Sequence, residues 1–476
     1  MQKSAVTIIL TLVIGQMGCN PLHTRVAPNR ALEAYETPVF TIPNRENPTS
    51  QQATGWSFFN DPELEDALKQ VWKDNLTIAQ SLSRLKAAKA AKDVANASWF
   101  PTVDLNGTRS KSESFMFGRT FAQDQWTASV AASYEVDLFD RLGGTRRAAA
   151  LEHEATRHDA RAVRITVSAT YADAWFQHRE AVKAIDLYRE QRNTSEAFFS
   201  LTRARFSNGL ATATDVLQQR QQLEALLTMA APLEARVALT AHQLRVLEGK
   251  VPTSDGSLQG VTLPAAPEIA QLKLDVSRLM TRPDLVAARL RVAAVDEQVG
   301  AALANRLPSL RLSGNIGVGA ESFSDLLDQW FFGITTSLIA PLFDGGRRSA
   351  EVERQRALLE LALNQYRALY LTAIREVKDA LILAHQEDIR LAALTQELQT
   401  AEQLLTETKR RYMNGVGSYL AVLNALQTFQ RKERERLTTR RNQLTHRISL
   451  WRALGGVYTL PSQQVALPER FKNTDA

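Results

Sequence analysis

Cysteine is almost missing from this chain: 476 residues hold one, Cys19, so an intramolecular disulfide framework and a Cys-rich metal site are both excluded. Histidine is sparse as well. The seven (His23, His153, His158, His178, His242, His385, His446) stand apart on helical stretches or near the termini, with no HExxH pair and no metal-ligand spacing. There is no P-loop and no nucleophile elbow, which argues against an enzyme or an energy-coupling ATPase. Charge of one sign is not in excess either: 57 Lys and Arg against 51 Asp and Glu leave +6, weak grounds for a nucleic-acid partner. The basic residues alternate with Glu, as on solvated faces of long helices.

What is present is a folded, helix-favouring composition, 44% hydrophobic and 23% charged, whose length suggests about three domains at roughly 150 residues each. Lys3 followed by the ten-residue apolar stretch Ala5 to Ile14 reads as a secretory signal, too short to span a bilayer as a helix. Gly15-Gln16-Met17-Gly18-Cys19 resembles a bacterial lipobox with Gln16 in place of the usual apolar residue, so segment 1–18 is expected to be removed and Cys19 acylated. Asn20, being no Asp, favours sorting to the outer membrane by the same resemblance. Loss of Lys3 takes the net charge from +6 to +5.

The two halves resemble each other at a nearly constant offset. Asn75 to Pro101 pairs with Arg282 to Pro308 at 207, and Leu138-Phe139-Asp140 with Leu342-Phe343-Asp344 at 204. Gly143-Gly144 and Arg146-Arg147 answer Gly345-Gly346 and Arg347-Arg348. Arg205 to Gly209 pairs with Arg411 to Gly415 at 206, and Arg245 to Gly249 with Arg452 to Gly456 at 207. Such ordered matches predict a tandem duplication: a first unit over 59–250, a linker over 251–282 and a second unit over 283–456, flanked by an extended segment 19–58 and a tail 457–476.

Each unit reads alike. A helix opens it, with Asp61 as N-cap and Pro62 at the first helical position, and Pro101 or Pro308 ends it. From Trp126 to Leu138 apolar and polar residues alternate, the signature of a half-buried strand, and Trp330 to Leu338 answers it. Weaker strands start at Val103 and Leu310, joined through turns at Ser114 to Gln123 and Ala320 to Asp328. Thr145 to Asn208 and Arg347 to Asn414 contain neither Gly nor Pro, predicting helices of over 60 residues. In the second, Leu359, Leu363, Tyr366, Tyr370, Ala373, Val377, Ala380 and Ala384 form a coiled-coil seam. Asn208-Gly209 and Asn414-Gly415 stop these helices, and Thr212 and Ser418 can cap the returns.

The expected fold is therefore mainly α, with long helical hairpins and four β-strands per chain. Open strand edges cannot face lipid, and membrane barrels need at least about 8 strands, so transmembrane strands demand an oligomer. At this point Ala340 to Arg348 (APLFDGGRR), Asn60 to Leu64, Arg282 to Leu285 and the duplicated order resemble the TolC/OprM (NodT-type) family of outer-membrane efflux lipoproteins. The resemblance implies a homotrimer with a 12-stranded outer-membrane β-barrel continuous with a periplasmic α-barrel. It also implies a passive exit duct, joined through a periplasmic adaptor (membrane fusion protein) to an inner-membrane RND-type transporter, with no cofactor beyond lipid on Cys19. By resemblance Leu420 falls on the Leu ring of the periplasmic gate, while Asn424 and Ala421 occupy the two positions where the family places Asp. Rings of carboxylates in a pore attract cations, so this duct is expected to be less cation-selective. Asp215 matches a family Asp that tethers neighbouring helices, although an acidic residue in a helix's first turn is favoured by the dipole alone. The tips at Asn208, Gly209, Asn414, Gly415 and Gly417 match the adaptor-docking ends. The alternative function is a periplasmic coiled-coil adaptor or structural lipoprotein without a pore, which would need neither alternating strands nor a duplicated hairpin.

Overall fold

A computed structural model describes Trp56 and residues 59–253, 262–267 and 279–456. The signal segment, Cys19, nearly all of 19–58, much of the linker and the tail lie outside the described residues. In chain order the elements are α1 (Pro62–Asp74), α2 (Leu76–Ala97), β1 (Thr102–Met116), β2 (Arg119–Val136), α3 (Arg141–Ser207), α4 (Ala213–Leu227) and α5 (Ala230–Leu247). They continue with α6 (Pro283–Ala304), β3 (Ser309–Ala320), β4 (Trp330–Ile339), α7 (Arg347–Met413) and α8 (Tyr419–Ala453). The sequence helix, hairpin, long helix, return thus occurs twice. Both α2 and α6 have 22 residues and begin 207 positions apart, and both α3 and α7 have 67. At about 1.5 Å per residue each long helix extends about 100 Å.

Four expectations need correction. The opening helix is two helices, because Asn75 leaves helical geometry (ψ 125) and its Oδ1 accepts from Thr77 and Ile78 N–H at 2.9 and 3.1 Å, capping α2. The turn placed at Ser114 to Gln123 is only Phe117-Gly118, both at positive φ (54 and 75), a type I′ geometry that lets the strands run almost to the bend. Helix α3 starts at Arg141 rather than Thr145. Asp140 takes positive φ just before it, and the helix runs through Gly143, where an added Cβ would lie 1.9 Å from Asp140 Oδ1. The first return is broken at Thr228-Met229, four residues before Pro232, whose ring cannot tolerate a continuous helix behind it. Helix α8 has no proline and runs unbroken.

The coiled-coil seam is present. Tyr366, Tyr370, Ala373, Val377, Ala380 and Ala384 are buried, and burial recurs in strict sevens through Leu394, Leu398, Ala401 and Tyr412. A seven-residue repeat held this long imposes a left-handed supercoil on an α-helix. All four long or returning helices end alike. At Gly209, Gly249 and Gly415 the glycine sits at positive φ and the next N–H reaches back five residues (Leu210 to Arg205 O, Lys250 to Arg245 O, Val416 to Arg411 O), a Schellman end. Gly456 N–H donates to Trp451 O in the same pattern at the end of α8.

Two compact units divide the chain. One takes residues 83–159 and 284–369 and holds the sheet, with strand order β1-β2-β3-β4, antiparallel throughout. There Arg147, with Nη2 2.6 Å from Asp140 and 2.9 Å from Glu297, bridges the start of α3 to α6. These carboxylates push its guanidinium pKa upward. The other unit takes the described residues of 37–82, 160–283 and 370–476. Its core sets Trp56, Phe59, Leu64, Leu68 and Val71 against Tyr171, Phe176, Ile448 and Trp451. Asp61 has a double role in it: Oδ1 accepts from Leu64 N–H at 3.1 Å as N-cap, and Oδ2 binds buried Arg179 at 2.7 Å. Asn75 Nδ2 donates to Leu247 O, and Arg282 Nη1 donates to Ala453 O, so the same joint is made twice at the ends of α5 and α8.

Candidate functional site

The strand register sorts residues by chemistry. Directly opposed residues share a face in an antiparallel sheet. The rows Leu105–Val130–Ile316–Phe332 and Ala128–Val318–Trp330 therefore share one face with Tyr134, Leu312 and Leu338. The opposite face carries Asp104, Asn106, Thr108, Thr127, Ser129, Ser133, Ser313, Asn315 and Thr335, interrupted by Phe331 and, at the end of β4, by Ile339. On β2 the apolar row runs from Trp126 to Val136, ten steps of about 3.4 Å, which at a tilt near 45° gives a band about 24 Å high. That is the height of the apolar band of an outer-membrane barrel. Above it the same face of β1 turns charged at Arg109, Lys111 and Glu113. Arg109 packs over Trp126 with its guanidinium carbon 4.7 Å from the ring centroid and pairs with Asp124 at 2.9 Å. Trp126 and Trp330 both lie at this boundary. Leu105, Ile316, Ile334 and Leu338 are all more than half exposed in the single chain, consistent with an apolar face made for lipid. Among the described residues no helix is long and apolar enough to cross a membrane, so the sheet is the spanning candidate.

At the second helical tip, Leu420, Ala421 and Asn424 are exposed on α8, in line with exposed Gln427 and Arg431 at spacings of three and four. On the opposite face Tyr419, Val422 and Leu423 are buried against Phe198 and Leu405, and Leu426 is buried as well. The stripe that holds Leu420, Ala421 and Asn424 thus carries no carboxylate, and its one formal charge, at Arg431, is positive. Asp215 serves its own helix: Thr212 N–H donates to its carboxylate at 2.9 Å, and its own N–H donates to Thr212 Oγ1 at 3.2 Å, a capping box. Ser418 caps α8 through Ala421 N–H. Asn208 Nδ2 closes on Ala204 O at 2.7 Å, and Asn414 N–H on Arg410 O at 3.1 Å. Gly209 and Gly415 face open space, with nothing within 4 Å of an added Cβ, whereas one at Gly417 would press Arg411 and Tyr412 at 3.2 Å. Both tips expose apolar side chains, Phe206 and Leu210 on one and Met413 and Val416 on the other.

The sequence reading missed a polar ladder that ties α4 to α8 beside this stripe. The Tyr419 hydroxyl donates to Gln219 Oε1, and Gln219 Nε2 donates to Ser195 O at 2.9 Å. Gln427 reaches Gln222 at 2.8 Å, Gln222 reaches Gln430 at 3.3 Å, and Gln430 and Gln191 exchange amide bonds with each other's backbone carbonyls. Burial raises the Tyr419 pKa, which keeps the hydroxyl a donor. The available signal was a glutamine on the buried stripe: Gln430 stands four residues after Leu426, and Gln219 is fully buried. Arg447 was missed too. It is 2% exposed, grips Asp388 at 2.7 and 2.9 Å, and donates to Pro267 O at 2.7 Å. Among the described residues no cluster of His, Cys, Asp or Glu is placed to hold a metal ion.

A sheet with a lipid-compatible face and a polar face, on a chain otherwise built of paired long helices, defines an outer-membrane channel-forming protein. Comparison with known proteins gives the family. The outer membrane efflux protein family matches residues 67–250 and 277–456, and the chain belongs to it. It is 26% identical to the pyoverdine export outer membrane protein OpmQ of Pseudomonas putida over 431 residues, covering 86% of this chain and 91% of that protein. It is likewise 26% identical to the antibiotic efflux pump outer membrane protein ArpC of Pseudomonas putida, covering 96% of each. In fold it resembles the outer-membrane channel OprN, with TM-score 0.81, 23% identity and coverage of 89% of this chain and 98% of that one. It also resembles the outer membrane protein VceC of Vibrio cholerae, with TM-score 0.78, 23% identity and coverage of 85% and 98%. The protein is an outer-membrane efflux channel, the exit component of a tripartite pump, and its family is one of transporters rather than enzymes.

Proposed function

We propose that three copies of this chain close a 12-stranded barrel in the outer membrane and a 12-helix periplasmic tunnel, forming a passive duct. The observation that carries this is the four-stranded sheet. Its register gives one apolar and one polar face, and β1 and β4 each pair on one side only among the described residues, which lipid does not tolerate. The matching element order and helix lengths of the two halves support a tandem duplication, with the domain limits given above. The tips at Asn208-Gly209 and Asn414-Gly415-Gly417, with their exposed apolar side chains, are the proposed docking ends for a periplasmic adaptor, behind which stands an inner-membrane transporter of RND type. The constriction is assigned to Leu420 and Asn424, flanked by Ala421, with Asp215 stabilising the neighbouring tip. Cys19 is the proposed lipid attachment, and loss of labelled palmitate in Cys19→Ser tests it. Relatives at equal identity are named for pyoverdine and for antibiotics, which supports cargo choice residing upstream of the duct.

Planar-bilayer conductance of the protein purified from outer membranes tests the reading. Discrete channels are expected, carried by a species with the mass of three chains. No conductance under any condition would favour the adaptor or structural-lipoprotein alternative.

A further inference from the structure

We propose that β4 of one copy pairs antiparallel with β1 of the next copy in one specific register, Leu338 opposite Leu105 and Thr336 opposite Gly107. This rests on the trimeric-duct reading and goes beyond it by fixing the seam. The argument uses the chain's own repeat. Within one copy, β2 of the first half pairs with β3 of the second, Tyr134 opposite Leu312 and Ala132 opposite Gly314. A closed ring of repeats must make the reciprocal joint, second half to first half, between copies. Trp126 answers Trp330 at an offset of 204 and Pro101 answers Pro308 at 207. Carrying Tyr134–Leu312 through those offsets gives Leu338–Leu105, and Ala132–Gly314 gives Thr336–Gly107.

Two independent checks favour this register. The first is facial. Leu338 lies on the apolar face with Leu310, and Leu105 on the apolar face with Val130. A slip of one residue would turn one strand's apolar row to the lumen. The second is closure. Following opposed residues from Leu105 through Val130, Ile316 and Phe332 leads to Lys111 of the next copy, a stagger of six residues over four strands. With about 3.4 Å per residue and about 4.8 Å between strands this is a tilt of about 47°, near the ~45° of membrane strands. The hairpins themselves differ by two residues, since Thr102 pairs with Ser133 but Ser309 with Ile339. Aligning the repeats by hairpin register instead sets Leu338 opposite Gly107, with a stagger of eight and a tilt of about 55°, steeper than spanning barrels adopt.

The end of the sheet nearest the long helices shows where the second copy belongs. In the first half, Gly144 at the start of α3 abuts α6, an added Cβ meeting Glu297 O at 3.1 Å. Its counterpart Gly346 meets nothing within 4 Å, and Leu342 and Phe343 beside it are 97% and 93% exposed, against 51% for Leu138. The joint that is covered inside one chain is bare at its end.

Paired cysteines in the full-length chain, oxidised in isolated outer membranes and read on denaturing gels, test the register. Opposed residues lie about 4.5–5.5 Å apart and diagonal ones 7–8 Å, so only the true pair links efficiently. Leu105→Cys with Leu338→Cys is expected to give a covalently closed trimer, and neither single variant should. Efficient linking of Leu338→Cys with Gly107→Cys or with Val103→Cys instead would overturn the register while leaving the trimer standing. A protein that runs as a single chain by mass in mild detergent, with no linkage at any pair, would overturn both the seam and the duct it closes.

Discussion

Removing one oxygen atom from Tyr419 should loosen the tip of the duct. Tyr419 is 3% exposed, and its hydroxyl donates to Gln219, which is fully buried and anchored to Ser195 O. In Tyr419→Phe the ring still fills its place against Val422 and Leu423, but Gln219 Oε1 loses its donor in a place water does not reach. Leaving a buried acceptor unpaired costs about 1–3 kcal/mol. If the closed tip holds α4 against α8 through this bond and the open tip does not, the open-to-closed ratio rises about 5- to 150-fold, since each 1.4 kcal/mol is tenfold. The assay is single-channel recording in planar bilayers, scoring the fraction of time open. Tyr412→Phe is the internal control: its ring lies 5.7 Å from that of Tyr419, but its hydroxyl is buried with no hydrogen-bond partner among the described residues. That variant should record like the parent. Equal open fractions for Tyr419→Phe and the parent, with helical content unchanged, would refute the claim that the ladder holds the tip.

Asn424→Asp places a carboxylate ring on the exposed stripe of α8, and block by trivalent cations should increase; unchanged conductance in their presence would move the constriction away from Asn424. Gly249→Ala should destabilise by well over 1 kcal/mol, because φ is +72 and the new Cβ would lie 2.4 Å from Asp74 O; a parental thermal midpoint would show that the joint relaxes freely. Burial lowers the His446 pKa below its usual 6.5, so the folded protein favours the neutral ring. Its contribution is complete above about pH 6.5 and falls as pH drops toward the lowered folded value, so His446→Gln should flatten that part of the stability profile measured by thermal melts between pH 7 and 5. Identical slopes for the two proteins would discount it.

Periodic features were legible in the sequence because their physics is local. Alternation on Trp126 to Val136 and the seam from Leu359 to Ala384 depend only on which side of a strand or helix faces apolar surroundings, and the structure shows both. Breaks were less legible because they depend on partners far along the chain. Asn75 interrupts the opening helix only because its amide can cap α2 while donating to Leu247 O, 172 residues away. The paired glycines diverged for a similar reason. Gly345 and Gly346 sit in a turn at positive φ, whereas Gly143 and Gly144 entered the helix once Asp140 took the left-handed position and fixed Arg147 against Glu297.

The tip shows how far a resemblance can be carried by chemistry. Family position put Leu420, Ala421 and Asn424 together, and the structure exposes all three along one stripe. What lies behind that stripe could not be read from position alone, since glutamines at 219, 222, 427 and 430 look like ordinary surface residues until two of them prove buried. If the proposed constriction stands at this tip, a neutral stripe backed by an amide ladder divides its work between two sets of residues: the exposed face would set which ions are attracted, and the buried ladder how much free energy opening requires. The two are separable by mutation. Asn424→Asp should change cation block with little effect on open fraction, and Tyr419→Phe should change open fraction with little effect on block, so a single variant that moved both equally would show that one surface performs both tasks.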